Sequence, residues 1–204
     1  VSSLAIWMIS LAIGLAIIVL SGAVGDVTIH TVAAALISLS MAAMAVTENR
    51  QQRKAGASEN VVAASTARYM GLVWVWGALS LFTTYYFILS WKEWLVFTGA
   101  FAVIGALCLF FAATLDRDEA AGRTDETLQK LAKYLSIGQL FGMVIVMLGL
   151  IIDGKFPVTA EGNPGWQDWA ANNIFFFGAL SVALITANAL YTKHQREKAG
   201  TQNA

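Results

Sequence analysis

The sequence predicts an all-α polytopic membrane protein with six transmembrane helices. Three observations carry this. Hydrophobic residues make up 57% of the 204 residues and charged residues 13%, against about 25% charged in soluble domains, and mean hydropathy is +0.63. The few charges are clumped, which leaves apolar stretches near the ~20 residues that cross a bilayer. Three of those stretches also close alike, passing from Thr through mixed charges to Ala-Gly: Thr47 to Gly56, Thr114 to Gly122 and Thr192 to Gly200.

The six segments are residues 4–25, 27–47, 69–90, 93–114, 131–152 and 170–191, one domain over 1–192 followed by a polar tail at 193–204. Backbone groups in lipid must be satisfied internally, so these segments are helices. Alternation of period two is too scarce for a β-barrel. No segment has the polar face of a surface helix. The first could be read as a signal peptide, but it lacks a basic leader, and its apolar run from Leu4 to Leu20 is longer than the ~7–15 residues usual there. It is therefore counted as a helix.

Basic residues set orientation. Eleven of the thirteen Lys and Arg residues flank the second and fourth connections or follow the last segment, and only Lys92 and Lys155 fall on the other side. Both termini are therefore expected in the cytoplasm. The absence of an organellar presequence points to a bacterial inner membrane.

The triple punctuation suggests three parallel helical hairpins. The last two share more: Ala67-Arg68-Tyr69 and Ala132-Lys133-Tyr134 open their first helices, and Trp91-Lys-Glu-Trp94 and Trp166-Gln-Asp-Trp169 mark their outer turns. Tyr69, Tyr134, Trp91, Trp94, Trp166 and Trp169 are expected as interfacial anchors. The first pair shares only the closing segment, which leaves its membership open. The three charged segments themselves read as solvated, orientation-setting loops.

Small residues recur at helical spacing and let helix backbones approach. The stripes are Ala35, Ser38, Ala42 and Ala45 in the second segment, and Gly99, Ala102, Ala106 and Ala113 in the fourth. In the fifth, Gly138, Gly142 and Gly149 share one face and are expected to pack inside the chain, with seams joining separate subunits as the alternative. Trp74 and Trp76 lie too deep for anchors. Thr127 to Leu135 is amphipathic and suits a helix at the inner surface or a continuation into the fifth segment.

Chemistry is sparse. Intramembrane ionisable groups are the usual marks of transport or catalysis, and His30 is the sole membrane histidine, so one chain cannot supply a bis-histidine haem. His30 could contact a pigment or a haem shared with another chain, or simply be a hydrogen-bonded interfacial residue. Gln139, Asn172, Asn173 and Asn188 are the candidate interior polar groups, read first as interhelical hydrogen-bond glue. Lone Cys108 excludes an intrachain disulfide. No phosphate loop or metal-ligand spacing is present, and the chain has no basic patch suited to nucleic acid. The sequence requires no cofactor, and an enzyme is not expected. The expected partners are membrane lipids and other membrane subunits or a second copy. The leading functional expectation is a structural or accessory subunit of a larger membrane complex, with a small-solute transporter or channel as the alternative.

Overall fold

The computed structural model describes residues 9, 12–14, 16, 17, 20, 27–85, 91–123, 126–157 and 166–202. All secondary structure among them is helical. Five helices have defined bounds: α1 (Val27–Lys54), α2 (Glu59–Tyr85), α3 (Trp91–Ala120), α4 (Glu126–Ile152) and α5 (Trp166–Gln202). A sixth helix precedes them, seen at the described residues between 9 and 20, and its Gly14 faces Ile37 of α1. Among the described residues four helical stretches are long and apolar enough to cross a membrane: Thr31–Lys54, Thr98–Ala120, Thr127–Ile152 and Asn172–Gln195.

The helices outrun the apolar segments at the end rich in Lys and Arg, called here the basic end. Thr47–Lys54 and Thr114–Ala120 are the last turns of α1 and α3, and Thr127–Leu135 runs on into α4. This corrects the expectation that the first two Thr-to-Ala-Gly segments are loops. A Thr-to-charge transition ends the match to lipid, but nothing in it breaks a helix. Glycine does. Gly56 and Gly122 have φ of 75° and 63°, the left-handed region that favours glycine. Each closes a Schellman motif: Gly56 N–H donates to Arg53 O and Ala57 N–H to Gln52 O, and Gly122 and Arg123 repeat the pattern on Glu119 and Asp118. The third segment behaves differently, because α5 continues helically through Ala199 and Gly200.

The core lies where α1, α2 and α5 meet. Met41, Ala42 and Ala45 face Met70, Val73 and Trp76 of α2 and Ile174, Val182 and Ile185 of α5. Ser38, Ala42 and Ala45 are buried, so the small-residue stripe on α1 is a packing face. Trp76 is wholly buried and acts as core filler. Trp74 packs edge-on against Phe101, with ring centroids 4.9 Å apart.

The most extensive helix pair is α2 with α3. Its centre is a glycine–glycine contact. A Cβ on Gly105 would sit 3.1 Å from the Gly71 carbonyl oxygen, and one on Gly71 would sit 3.0 Å from the Gly105 oxygen. The face of α3 used here runs Phe101, Gly105, Cys108, Ala112, Leu115, a spacing of four and three. This corrects the expected stripe of Gly99, Ala102, Ala106 and Ala113. A Cβ on Gly99 would meet nothing within 4 Å, and Ala102, Ala106 and Ala113 are exposed.

Helix α4 is peripheral. It packs on α5 and barely touches α2, and none of its membrane-length window is buried. Gly138, Gly142 and Gly149 would each accept a Cβ with nothing within 4 Å. They lie among the exposed Tyr134, Phe141, Ile145 and Ile152, and Gly138 and Gly149 are themselves exposed. The expectation that this stripe packs inside the chain is corrected: it faces outward.

The two classes of glycine predict opposite responses. Gly105→Ala should lower the midpoint of unfolding in detergent by the equivalent of about 1–3 kcal/mol, since overpacking against backbone has no soft neighbour to displace. Gly99→Ala should leave it unchanged or raise it, because alanine is the better helix former.

Candidate functional site

At the basic end, α1 and α2 present polar stripes of the same spacing. Glu48, Asn49 and Gln52 stand at positions i, i+1 and i+4 of one helix, and Ser65, Thr66 and Tyr69 at i, i+1 and i+4 of the other. Residues so spaced share a helical face. The short 55–58 connection folds α2 back against α1, so the two faces meet. Ser58 starts α2 as its N-cap, its Oγ accepting the Val61 N–H at 3.3 Å.

Glu48 is the centre of this clamp. Its Oε1 accepts hydrogen bonds from Ser65 Oγ at 3.1 Å and Gln52 Nε2 at 3.0 Å, and its Oε2 accepts from Tyr69 OH at 2.6 Å. Beside it, Asn49 is fully buried and donates through Nδ2 to Thr66 Oγ1 at 3.0 Å. Thr66 in turn donates to the Val62 carbonyl at 2.8 Å. A carboxylate with three donors is held in one position and is not presented to a substrate; bonds of this charge-assisted kind are the strong ones.

Two further ties draw in the neighbouring helices. Arg68 of α2 donates to Asp116 of α3 at 2.7 Å. Asn60 donates to the Arg123 carbonyl at 3.3 Å and accepts from Gln129 of α4 at 2.9 Å. The basic end is thereby laced from α1 to α4.

Below this lacing lies a cleft of about 410 Å³ between α2, α3, α4 and α5, within the ~300–1,000 Å³ usual for small-molecule sites. Arg53, Glu59, Gln129, Lys133 and Lys193 border its basic end. Its body is apolar, formed by Met70 on α2, Ile104 and Phe111 on α3, and Leu190 on α5. Cys108 and Gln139 line its inner part and face each other, Nε2 to Sγ, at 3.9 Å. The Gln139 Oε1 is buried without a hydrogen-bond partner. Leu107, Phe110 and Leu135 line the cleft yet are exposed, so it opens sideways between α3 and α4.

The residues expected from sequence separate here. Gln139 lines the cleft. Asn173 is fully buried and joins two helices, donating to Thr31 Oγ1 at 2.8 Å. Asn188 does not line the cleft; its carbonyl accepts from Thr192 at 2.6 Å, and its side-chain Nδ2 has no partner. Asn172 is half-buried. Tyr134 is 69% exposed, while Tyr69, its counterpart in the repeat, is 7% exposed and tied to Glu48. Tyr69 therefore serves the interior, which corrects its reading as an interfacial anchor. His30 lies one turn into α1, but its side chain, like those of Trp91, Trp94, Trp166 and Trp169, lies outside the described residues. Among the described residues no three His, Cys, Asp or Glu side chains converge.

Comparisons with known proteins do not extend this geometry. No protein-family model, curated protein or solved structure matches the chain. Function has to be argued from the site itself.

The unequal tyrosines supply a test of the clamp. Tyr69→Phe should cost about 1.5–3 kcal/mol of unfolding free energy in detergent, the range for a hydrogen bond to a charged group. Tyr134→Phe should stay within about 0.5 kcal/mol, as an exposed substitution does. In the Glu48→Gln background the Tyr69→Phe cost should shrink, a coupling that a double-mutant cycle reads directly.

Proposed function

We propose that this chain is an accessory subunit that packs against other subunits of a larger membrane complex, with α4 as its docking helix. One observation carries the reading: Gly138, Gly142 and Gly149 form a stripe on the outward face of α4. In helices glycine is about 1 kcal/mol less favourable than alanine, and where backbones meet, as at Gly71 and Gly105, that cost is offset by contact. The α4 glycines receive no such return from described residues of their own chain. A second helix laid on the stripe would supply it, since close backbone approach is a principal source of association in lipid. The polar Glu48 clamp, with all its donors used internally, suits a rigid scaffold better than an enzyme.

The same proposal includes six spans, with both termini in the cytoplasm of a bacterial cell and the chain in the inner membrane. The distribution of Lys and Arg supports this orientation. So does the meeting of Arg53, Lys133 and Lys193 at one end of the bundle.

Purification in mild detergent, followed by mass spectrometry, should recover a stoichiometric membrane partner or a second copy. Gly142→Leu should abolish that association while leaving the unfolding midpoint of the isolated chain unchanged. A chain that purifies alone, or a Gly142→Leu variant that keeps its partner, would sink the proposal. For topology, a reporter fused after Ala204 should be active only in its cytoplasmic form.

A further inference from the structure

We infer that the cleft between α2, α3, α4 and α5 is a binding site for an anionic phospholipid of the surrounding bilayer. One acyl chain would enter between α3 and α4, and the head group would lie at Lys133 and Lys193.

The shape of the cleft argues for a chain-like ligand. Its lining on α4 runs from Gln129 to Gln139, within the membrane-length stretch Thr127–Ile152, roughly 15 Å at 1.5 Å per residue. That is about half of a ~30 Å hydrocarbon core, the depth of a single leaflet. The walls over this depth are mostly aliphatic and aromatic, with Gln139 the polar side chain of the inner part, and the charged groups collect at one end. An amphiphile has the same division, and a compact polar solute does not.

The opening argues for the bilayer as the source. Leu107 is 62% exposed, Phe110 72% and Leu135 49%. These side chains form the two lips of the slot, on α3 and α4. Such lips are wetted by lipid tails in a membrane, so a ligand already in the leaflet can enter without crossing water.

The charges argue for an anionic head group. Of the three charged residues that border the cleft besides Lys133, Arg53 and Glu59 pair with each other at 3.7 Å, which leaves Lys193. Among the described residues neither Lys133 nor Lys193 has an ion-pair partner. Two lysines therefore stand over an apolar slot with no carboxylate paired to them among the described residues. Near an anionic leaflet surface such lysines are drawn to the head groups.

Cys108 makes the site measurable, because it lines the cleft and is the only cysteine of the chain. The full chain is placed in nanodiscs of phosphatidylcholine alone, or of phosphatidylcholine with one third phosphatidylglycerol bearing the same acyl chains. N-ethylmaleimide alkylation of Cys108 is then followed by intact mass. Cys108 should react in phosphatidylcholine, and phosphatidylglycerol should slow it at least fivefold. In the double variant Lys133→Gln, Lys193→Gln the two lipid compositions should give equal rates, with the phosphatidylcholine rate unchanged from the parent. Equal rates in the parent chain would overturn the inference, and so would protection that survives in the double variant. Failure of Cys108 to react in phosphatidylcholine would also overturn it, since the unoccupied cleft must be open. Protection by added oleate with none by phosphatidylglycerol would refute the phospholipid source. Loss of α4-mediated association leaves all of these rates readable, so the two proposals can fail separately.

Discussion

Two backbones touch at Gly71 and Gly105, and much of the remaining architecture follows from that contact. In lipid there is little hydrophobic gain from bringing apolar helices together, so tight packing has to supply the attraction. The glycines draw α3 close along one side of α2. The opposite side of α2 is then free to hold Met70, Val73 and Trp76 against α1 and α5. With three neighbours in place, α2 is covered nearly all round between Asn60 and Ala78. No comparable surface remains for α4, which attaches to α5 alone over most of its length. Its outward glycine stripe and the slot between it and α3 both result from that displacement.

Polar groups follow a different rule, because removing them from water without a partner is costly. The chain satisfies most of them at the basic end by matching two stripes of equal spacing on consecutive helices. Glu48 unites three donors from two helices, and Asn49 and Thr66 form a second, fully buried tie. The clamp holds α1 and α2 where the Arg53–Glu59 pair forms. It thereby fixes one wall of the cleft rim.

Composition and charge clustering made the helical, membrane-like class legible, because a bilayer imposes apolar length directly on sequence. Helix ends were less legible. Hydropathy measures the match to lipid, and α1 and α3 continue past that match for about two turns. The marker that does report helix ends is the Gly of Ala-Gly, whose φ above zero closes Gly56 and Gly122 but not Gly200. The clamp could have been found by comparing Glu48, Asn49 and Gln52 with Ser65, Thr66 and Tyr69, since the repeated i, i+1, i+4 spacing is visible in the chain. Which small-residue stripe packs could not be found that way. Gly105 and Gly99 are alike in their local surroundings of Ala, Phe and Leu, and only the rotation of α3 against α2 separates them. The likeness of Tyr69 and Tyr134 misled for the same reason: a motif records the local sequence of a helix and says nothing of the helix's neighbours.

The failure of α5 to stop at its Ala-Gly has a geometrical consequence. The helix is 37 residues long, about 55 Å at 1.5 Å per residue, against a hydrocarbon thickness near 30 Å. Some 25 Å is left over. The apolar stretch ends near Tyr191 and the helix runs on to Gln202, so about 16 Å of the surplus, at 1.5 Å per residue, lies at the Lys193 end. There it forms a stiff rod continuous with the buried Val182 and Ile185. A rod of this kind acts as a lever arm: a few degrees of tilt at the core becomes a displacement of ångströms at its tip.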